Sequence, residues 1–129
     1  MLSILIPIYE FDVTRLITEL HEQATACKIP FEIICFDDGS DESFKKLNRQ
    51  IGSLDSVAYT ELNKNVGRSK IRNLLAEKSR YDNLLFLDCD AKLPSRDFVK
   101  KYIIHIEDYH VVYGGRIYED QAPEQPEKY

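Results

Sequence analysis

Asp88 and Asp90, two carboxylates one residue apart, follow the apolar run Leu84-Leu85-Phe86-Leu87. In an extended chain successive side chains alternate faces, so the two acids point one way while Leu87 and Cys89 point the other. Hard cations such as Mg²⁺ and Mn²⁺ favour one or two carboxylates plus substrate phosphates over a closed protein cage. A cation held in this way can stabilise charge on a departing phosphate. Two carboxylates on one face also repel each other, which disfavours leaving the pair uncompensated. The plainer alternative is a solvated strand end whose second Asp caps a following turn.

Three further segments carry chemistry. Tyr9, in Pro7-Ile8-Tyr9-Glu10, follows an aliphatic run and can either stack on a planar base or cover a helix start. In Asp37-Asp38-Gly39-Ser40, Asp38 can accept a hydrogen bond from a base or ribose, or form an Asx turn that Asp37 could equally supply. Asn65, Gly67 and Arg68 lie at the mouth of a helix, where free amides and the positive dipole end suit a phosphate. Arg68 adds a permanent forked cation, and Arg72 stands four residues on along the same face, so periodicity cannot choose between them. His21, His105 and His110 lack a matching nucleophile or acid constellation and read as packing or surface residues. There is no nucleophile elbow, P-loop or dinucleotide glycine fingerprint.

The elements that must position these segments alternate in period. Residues 2–6 form an aliphatic strand expected to stop at Pro7, which cannot donate to a ladder. Residues 11–26 are helical, with Val13, Leu16, Ile17 and Leu20 on one face and Asp12 or Thr14 near the start. A strand at 31–36, a helix at 41–50, a strand at 57–62 and a helix from 68 to about 78 follow. After the acidic strand come a helix at 97–107 and a last strand at 111–118 with a glycine bulge or bend. Strands alternating with helices require parallel crossovers, hence an open, Rossmann-like α/β sheet with helices on both faces. Ligands bind outside the carboxyl ends of such strands, where every unusual loop of this chain falls.

At 129 residues and 43% hydrophobic composition the chain is one domain, expected over residues 1–118, with 119–129 a polar mobile tail. Its 22 acids outweigh 17 bases for a net charge of −5, which argues against general binding to nucleic acid or anionic lipid, so an anionic ligand must be met locally. No apolar run approaches the ~20 residues of a spanning helix, and residues 2–8 read as a strand rather than a signal peptide. Cys27, Cys35 and Cys89 form no metal-ligand pair, as expected of reduced thiols in a cytoplasmic setting.

Together, Ile6-Pro7-Ile8-Tyr9, Asp37-Asp38-Gly39-Ser40, the Asn63-x-Asn65-x-Gly67 loop leading to Arg72-Asn73, and Asp88-x-Asp90 resemble the amino-terminal half of family-two glycosyltransferases. These are inverting enzymes of the GT-A fold, and the resemblance covers roughly residues 2–118. It implies a nucleotide-diphosphate sugar as donor, a UDP-sugar by expectation, with Mn²⁺ or Mg²⁺ as cofactor. It also implies donor contacts at Pro7, Tyr9, Glu10, Asp38, Asn65, Gly67, Arg68 and Asp88. Tyr9 would meet the base, Asp38 the base imide, Glu10 the ribose, and Arg68 or Arg72 the base or diphosphate. Asp90 would bind the metal directly, with Asp88 nearer the ribose or the metal's waters.

The departure from the family lies downstream. Its general base is an acid well after the metal pair, whereas only 39 residues follow Asp90 here and Glu119-Asp120 comes too early in order. The expectation is therefore a truncated, donor-binding fragment with little activity alone, any attachment to the inner face of a membrane coming through segments it lacks. The acceptor is unassigned. The competing functions are a non-catalytic nucleotide-sugar-binding module and a receiver-like signalling module, though receivers place their paired acids after the first strand and these follow the second.

Overall fold

The structure, a computed structural model, describes residues 1–115. Four parallel strands form one sheet in the order β3-β2-β1-β4: β1 (Leu2–Ile8), β2 (Phe31–Asp37), β3 (Val57–Glu61) and β4 (Asn83–Phe86). Between them run α1 (Thr14–Ala26), α2 (Glu42–Asn48) and α3 (Arg68–Lys78), and α4 (Phe98–Ile103) follows β4. A central parallel strand is covered on both faces and so needs an unbroken apolar run, which β1 supplies. Leu2, Ile4, Ile6 and Ile8 pack with Leu16, Ile17, Leu20 and Val99 on the side of α1 and α4, while Leu5 meets Ile71 and Leu75 of α3 on the other. Helices therefore lie on both faces, as the sequence predicts. Among the described residues no helix is long and apolar enough to cross a membrane.

Pro7 does not stop the first strand. β1 runs on to Ile8, with Pro7 in register with Phe36 of β2. In a parallel strand alternate residues address opposite neighbours: Ile8 accepts from Asp38 N–H on the β2 side (2.8 Å), and Leu5 accepts from Leu87 N–H on the β4 side (3.1 Å). Pro7 shares the parity of Leu5, so its missing donor falls towards β4, at the point where that ladder would otherwise continue. β4 accordingly ends at Phe86, and its chain turns away with Ala91 N–H bonded to the Asp88 carbonyl at 3.1 Å. The expected extended run to Asp90 is corrected in this way.

Other boundaries shift for local reasons. Asp12 Oδ1 accepts from the Thr14 N–H (3.0 Å) and hydroxyl (2.7 Å), which delays α1 to residue 14. The helix expected at 41–50 is α2 followed by a 3₁₀ turn at Arg49–Ser53, and the one expected at 97–107 is only α4. Residues 111–115 of the expected last strand carry no regular structure, while 116–118 and the proposed tail at 119–129 lie outside the described residues. Cys27, Cys35 and Cys89 are free thiols, and burial pushes that of Cys35 well above its ordinary range.

Far from the strands' carboxyl ends, Glu32 joins the sheet to the α3–β4 connection by accepting from Ser3 Oγ (2.6 Å) and Arg80 N–H (2.5 Å). Nearer the site, buried Asn48 holds the approach to α1: its Oδ1 accepts from Val13 N–H (2.9 Å) and its Nδ2 donates to the Phe11 carbonyl (2.7 Å). Asn48→Ala orphans both groups, and urea unfolding should register a loss of about 2–3 kcal/mol. An unchanged midpoint would mean that water replaces the amide without cost.

Candidate functional site

The carboxyl ends of the strands converge through the turn after β2. Asp37 is fully buried, and its Oδ1 accepts from Ser40 N–H at 2.8 Å, which closes the turn. Its Oδ2 has no protein partner among the described residues. Asp38 reaches across to the segment before α3, where Oδ1 accepts from Val66 N–H (2.7 Å) and Oδ2 from Gly67 N–H (3.1 Å). Its own carbonyl accepts from Asn65 Nδ2 at 3.0 Å. Gly39 makes this closeness possible: its φ is +81°, and a Cβ there would stand 3.0 Å from Asn65 N and 3.3 Å from the Lys64 carbonyl carbon. Gly67, with φ +90°, then sets the start of α3.

One turn into α3, Arg72 Nη2 donates to Asp88 Oδ1 at 2.7 Å and Nη1 to the Arg68 carbonyl at 3.2 Å. Of the two arginines that spacing leaves open, it is Arg72 that meets the acid pair, while Arg68 is exposed on the first turn of α3. Asp88 and Asp90 remain exposed, and Leu87 and Cys89 pack against the core, so the two-sided pattern survives although the backbone is a turn rather than a strand. Burial raises the Cys89 thiol above its ordinary value; a hydrogen bond from the Tyr9 backbone opposes the rise, and the nearby Asp90 and Asp88 charges add to it.

Tyr9, 52% exposed, stands at the carboxyl end of β1 with its ring open to solvent. Glu10 adopts φ +52°; its N–H donates to Ser40 Oγ (2.8 Å), and its Oε1 accepts from Asp41 N–H just ahead of α2 (2.6 Å). One of its oxygens is thus committed to tying the first and second loops together. Pro7 sits inside the sheet, where it acts on strand pairing. His21 packs edge-on against Phe31 and His105 against Tyr109, consistent with packing roles.

Tyr9, Glu10, Asp38, Asn65, Gly67, Asp88 and Asp90 therefore all fall on the loops at the carboxyl ends of the strands, with Arg68 on the first turn of α3 beside them. The Asp38 clasp and the Arg72–Asp88 pair were not visible in the sequence. The first joins residues 28 and 29 apart and the second residues 16 apart, and the only hint was the shared helix face of Arg68 and Arg72.

For a hard divalent cation the donor chemistry fits, since Asp88 and Asp90 offer exposed carboxylate oxygens on one turn. Among the described residues no group of three or more His, Cys, Asp or Glu could hold a metal, so any cation here would draw its remaining ligands from water or substrate.

The sequence profile of Glycosyl transferase family 2 matches residues 3–129. An uncharacterized glycosyltransferase of Synechocystis sp. is 31% identical over 121 residues, which is 89% of this chain and 37% of that protein. Among solved structures, S. aureus TarS 1-349 in complex with UDP-GlcNAc superposes with a TM-score of 0.68 at 23% identity, over 84% of this chain and 32% of that one. The mannosyltransferase PcManGT from Pyrobaculum calidifontis in complex with GDP-Man and Mn²⁺ gives 0.63 at 18% identity, over 79% and 31%. The chain spans between 10% and 37% of the length of the curated relatives it matches.

Asp38→Asn keeps the side-chain shape but replaces one acceptor by a donor facing a backbone N–H. Stability should fall by about 2–3 kcal/mol. Amide exchange at Val66 and Gly67 should quicken by about tenfold or more, because the entry to α3 opens locally. Unchanged protection at both amides would remove Asp38 as the anchor.

Proposed function

The chain belongs to glycosyl transferase family 2, and on that footing we propose that it forms the donor side of an enzyme moving a sugar from a nucleotide diphosphate to a hydroxyl acceptor. The observation that carries this reading is the meeting of four strand-end loops at one edge, where the Asp38 clasp and the Arg72–Asp88 pair hold three of them in fixed relation. Ligand-bound proteins of similar fold support it: TarS with UDP-GlcNAc, and PcManGT with GDP-Man and Mn²⁺.

In this reading the open ring of Tyr9 stacks on the base. Asp38 reaches the base imide with lone pairs left over from its two amide bonds, since an ionised carboxylate offers about four acceptor sites. Glu10 reaches the ribose with the oxygen that does not hold Asp41. Asn65, Gly67 and the exposed Arg68 present the mouth of α3 to the diphosphate, where an arginine fork matches phosphate oxygens. Asp90 would hold a divalent cation, Mn²⁺ or Mg²⁺, with Asp88 beside it; when bound it supplies Lewis-acid stabilisation of the departing diphosphate. A UDP-sugar is the proposed donor. In this reading the residues described supply leaving-group activation and donor orientation, and deprotonation of the acceptor is assigned to none of them.

Isothermal titration calorimetry of UDP with Mn²⁺ tests the proposal. The parent chain should bind, and Asp90→Ala should bind about tenfold or more weakly, in line with loss of a charged ligand contact. Equal binding by both would overturn the metal assignment, and absence of binding by the parent would overturn the donor site.

A further inference from the structure

We propose that Arg72 makes cation binding at Asp88 and Asp90 conditional on the nucleotide diphosphate, a regulation of the site that rests on the donor-binding reading above. Its guanidinium is held at two points, by Asp88 Oδ1 at 2.7 Å and by the Arg68 carbonyl at 3.2 Å. The helix that carries it is fixed in turn by the Asp38 clasp on Val66 and Gly67. A permanently protonated group is therefore seated on one of the two metal-directed carboxylates.

Without a ligand this arrangement has two effects. Arg72 relieves the repulsion between two acids that share one side of a turn. It also occupies an oxygen that a divalent cation would use and repels the cation's charge. The pair is part-exposed, 35% at Arg72 and 63% at Asp88, so its value to stability is small, while its effect on a doubly charged ion at the same oxygens is direct.

A diphosphate reverses both effects. Its oxygens give the guanidinium a second anionic partner, for which an arginine fork is well suited. Asp88 is then released towards the cation, and the cation in turn meets phosphate oxygens. Cation and diphosphate consequently favour each other's binding, and the coupling is reciprocal. A purely structural ion pair predicts no such coupling through Arg72.

The test is titration of Mn²⁺, followed by the paramagnetic resonance of the free ion, into the parent chain, Arg72→Gln and Arg72→Lys, each with and without UDP. Arg72→Gln should bind Mn²⁺ alone about three- to tenfold more tightly than the parent, and the enhancement by UDP should shrink by the same factor. Arg72→Lys, which keeps the charge, should stay close to the parent. Binding of Mn²⁺ alone by Arg72→Gln that equals or falls below the parent's would overturn the proposal, as would an undiminished UDP effect.

Side-chain ¹⁵N resonances of Arg72 in the parent chain supply a check that needs no variant. They should hold with Mg²⁺ alone and shift with Mg²⁺ plus UDP; no shift on adding both contradicts the proposal. A parent that binds UDP and Mn²⁺ while Arg72 stays indifferent removes this inference and leaves the donor site standing. A parent that binds neither removes both.

Discussion

A carboxylate taken out of water must find hydrogen bonds or cost several kcal/mol, and Asp38, only 6% exposed, meets that constraint with the backbone of another loop. Its two oxygens accept from Val66 and Gly67, and its carbonyl accepts from Asn65. Much of the site's geometry follows from this clasp. It sets where α3 begins, hence which turn of α3 faces the end of β4, hence that Arg72 reaches Asp88. Gly39 belongs to the same constraint, because any side chain there would push away the loop that Asp38 holds.

A second constraint acts from inside the sheet. Pro7 withdraws one donor from the β4 side of the central strand, and the chain beyond Phe86 leaves the ladder there. The acids that follow sit on a turn, while Leu87 and Cys89 remain anchored in the core. Coverage of the sheet is uneven in the same region: Leu84 and Phe86, on the α3 side of β4, are 39% and 41% exposed because α3 packs over β1 and β2 instead.

The order of strands and helices from β1 to α4 is legible in the sequence because each element carries its own period. The helix at 68–78 follows on that basis, whereas the first strand runs past Pro7 to Ile8 and the fourth ends at Phe86, short of the acids. What local periodicity cannot encode is a partner far along the chain. Asp38 reads as a ligand contact, with an Asx turn as its alternative, and nothing local announces its clasp on Val66 and Gly67; Arg68 and Arg72 cannot be separated, because the deciding contacts span 16 to 29 residues. Pro7 reads locally as a strand stop, but its effect depends on which neighbour its missing N–H faces, a property of the whole sheet. Glu10 shows the same limit: its bond to Asp41 N–H depends on a left-handed backbone that nothing in Tyr9-Glu10-Phe11 announces.

That the strand-end loops form one donor site is tested most directly by Mn²⁺ broadening of backbone amide resonances in the presence of UDP. Signals should be lost first at residues 88–91, then at Tyr9 and Gly67, with the acidic face of α1 around Glu19 and Glu22 spared. Broadening centred on Glu19 and Glu22, with residues 88–91 left sharp, would contradict the account.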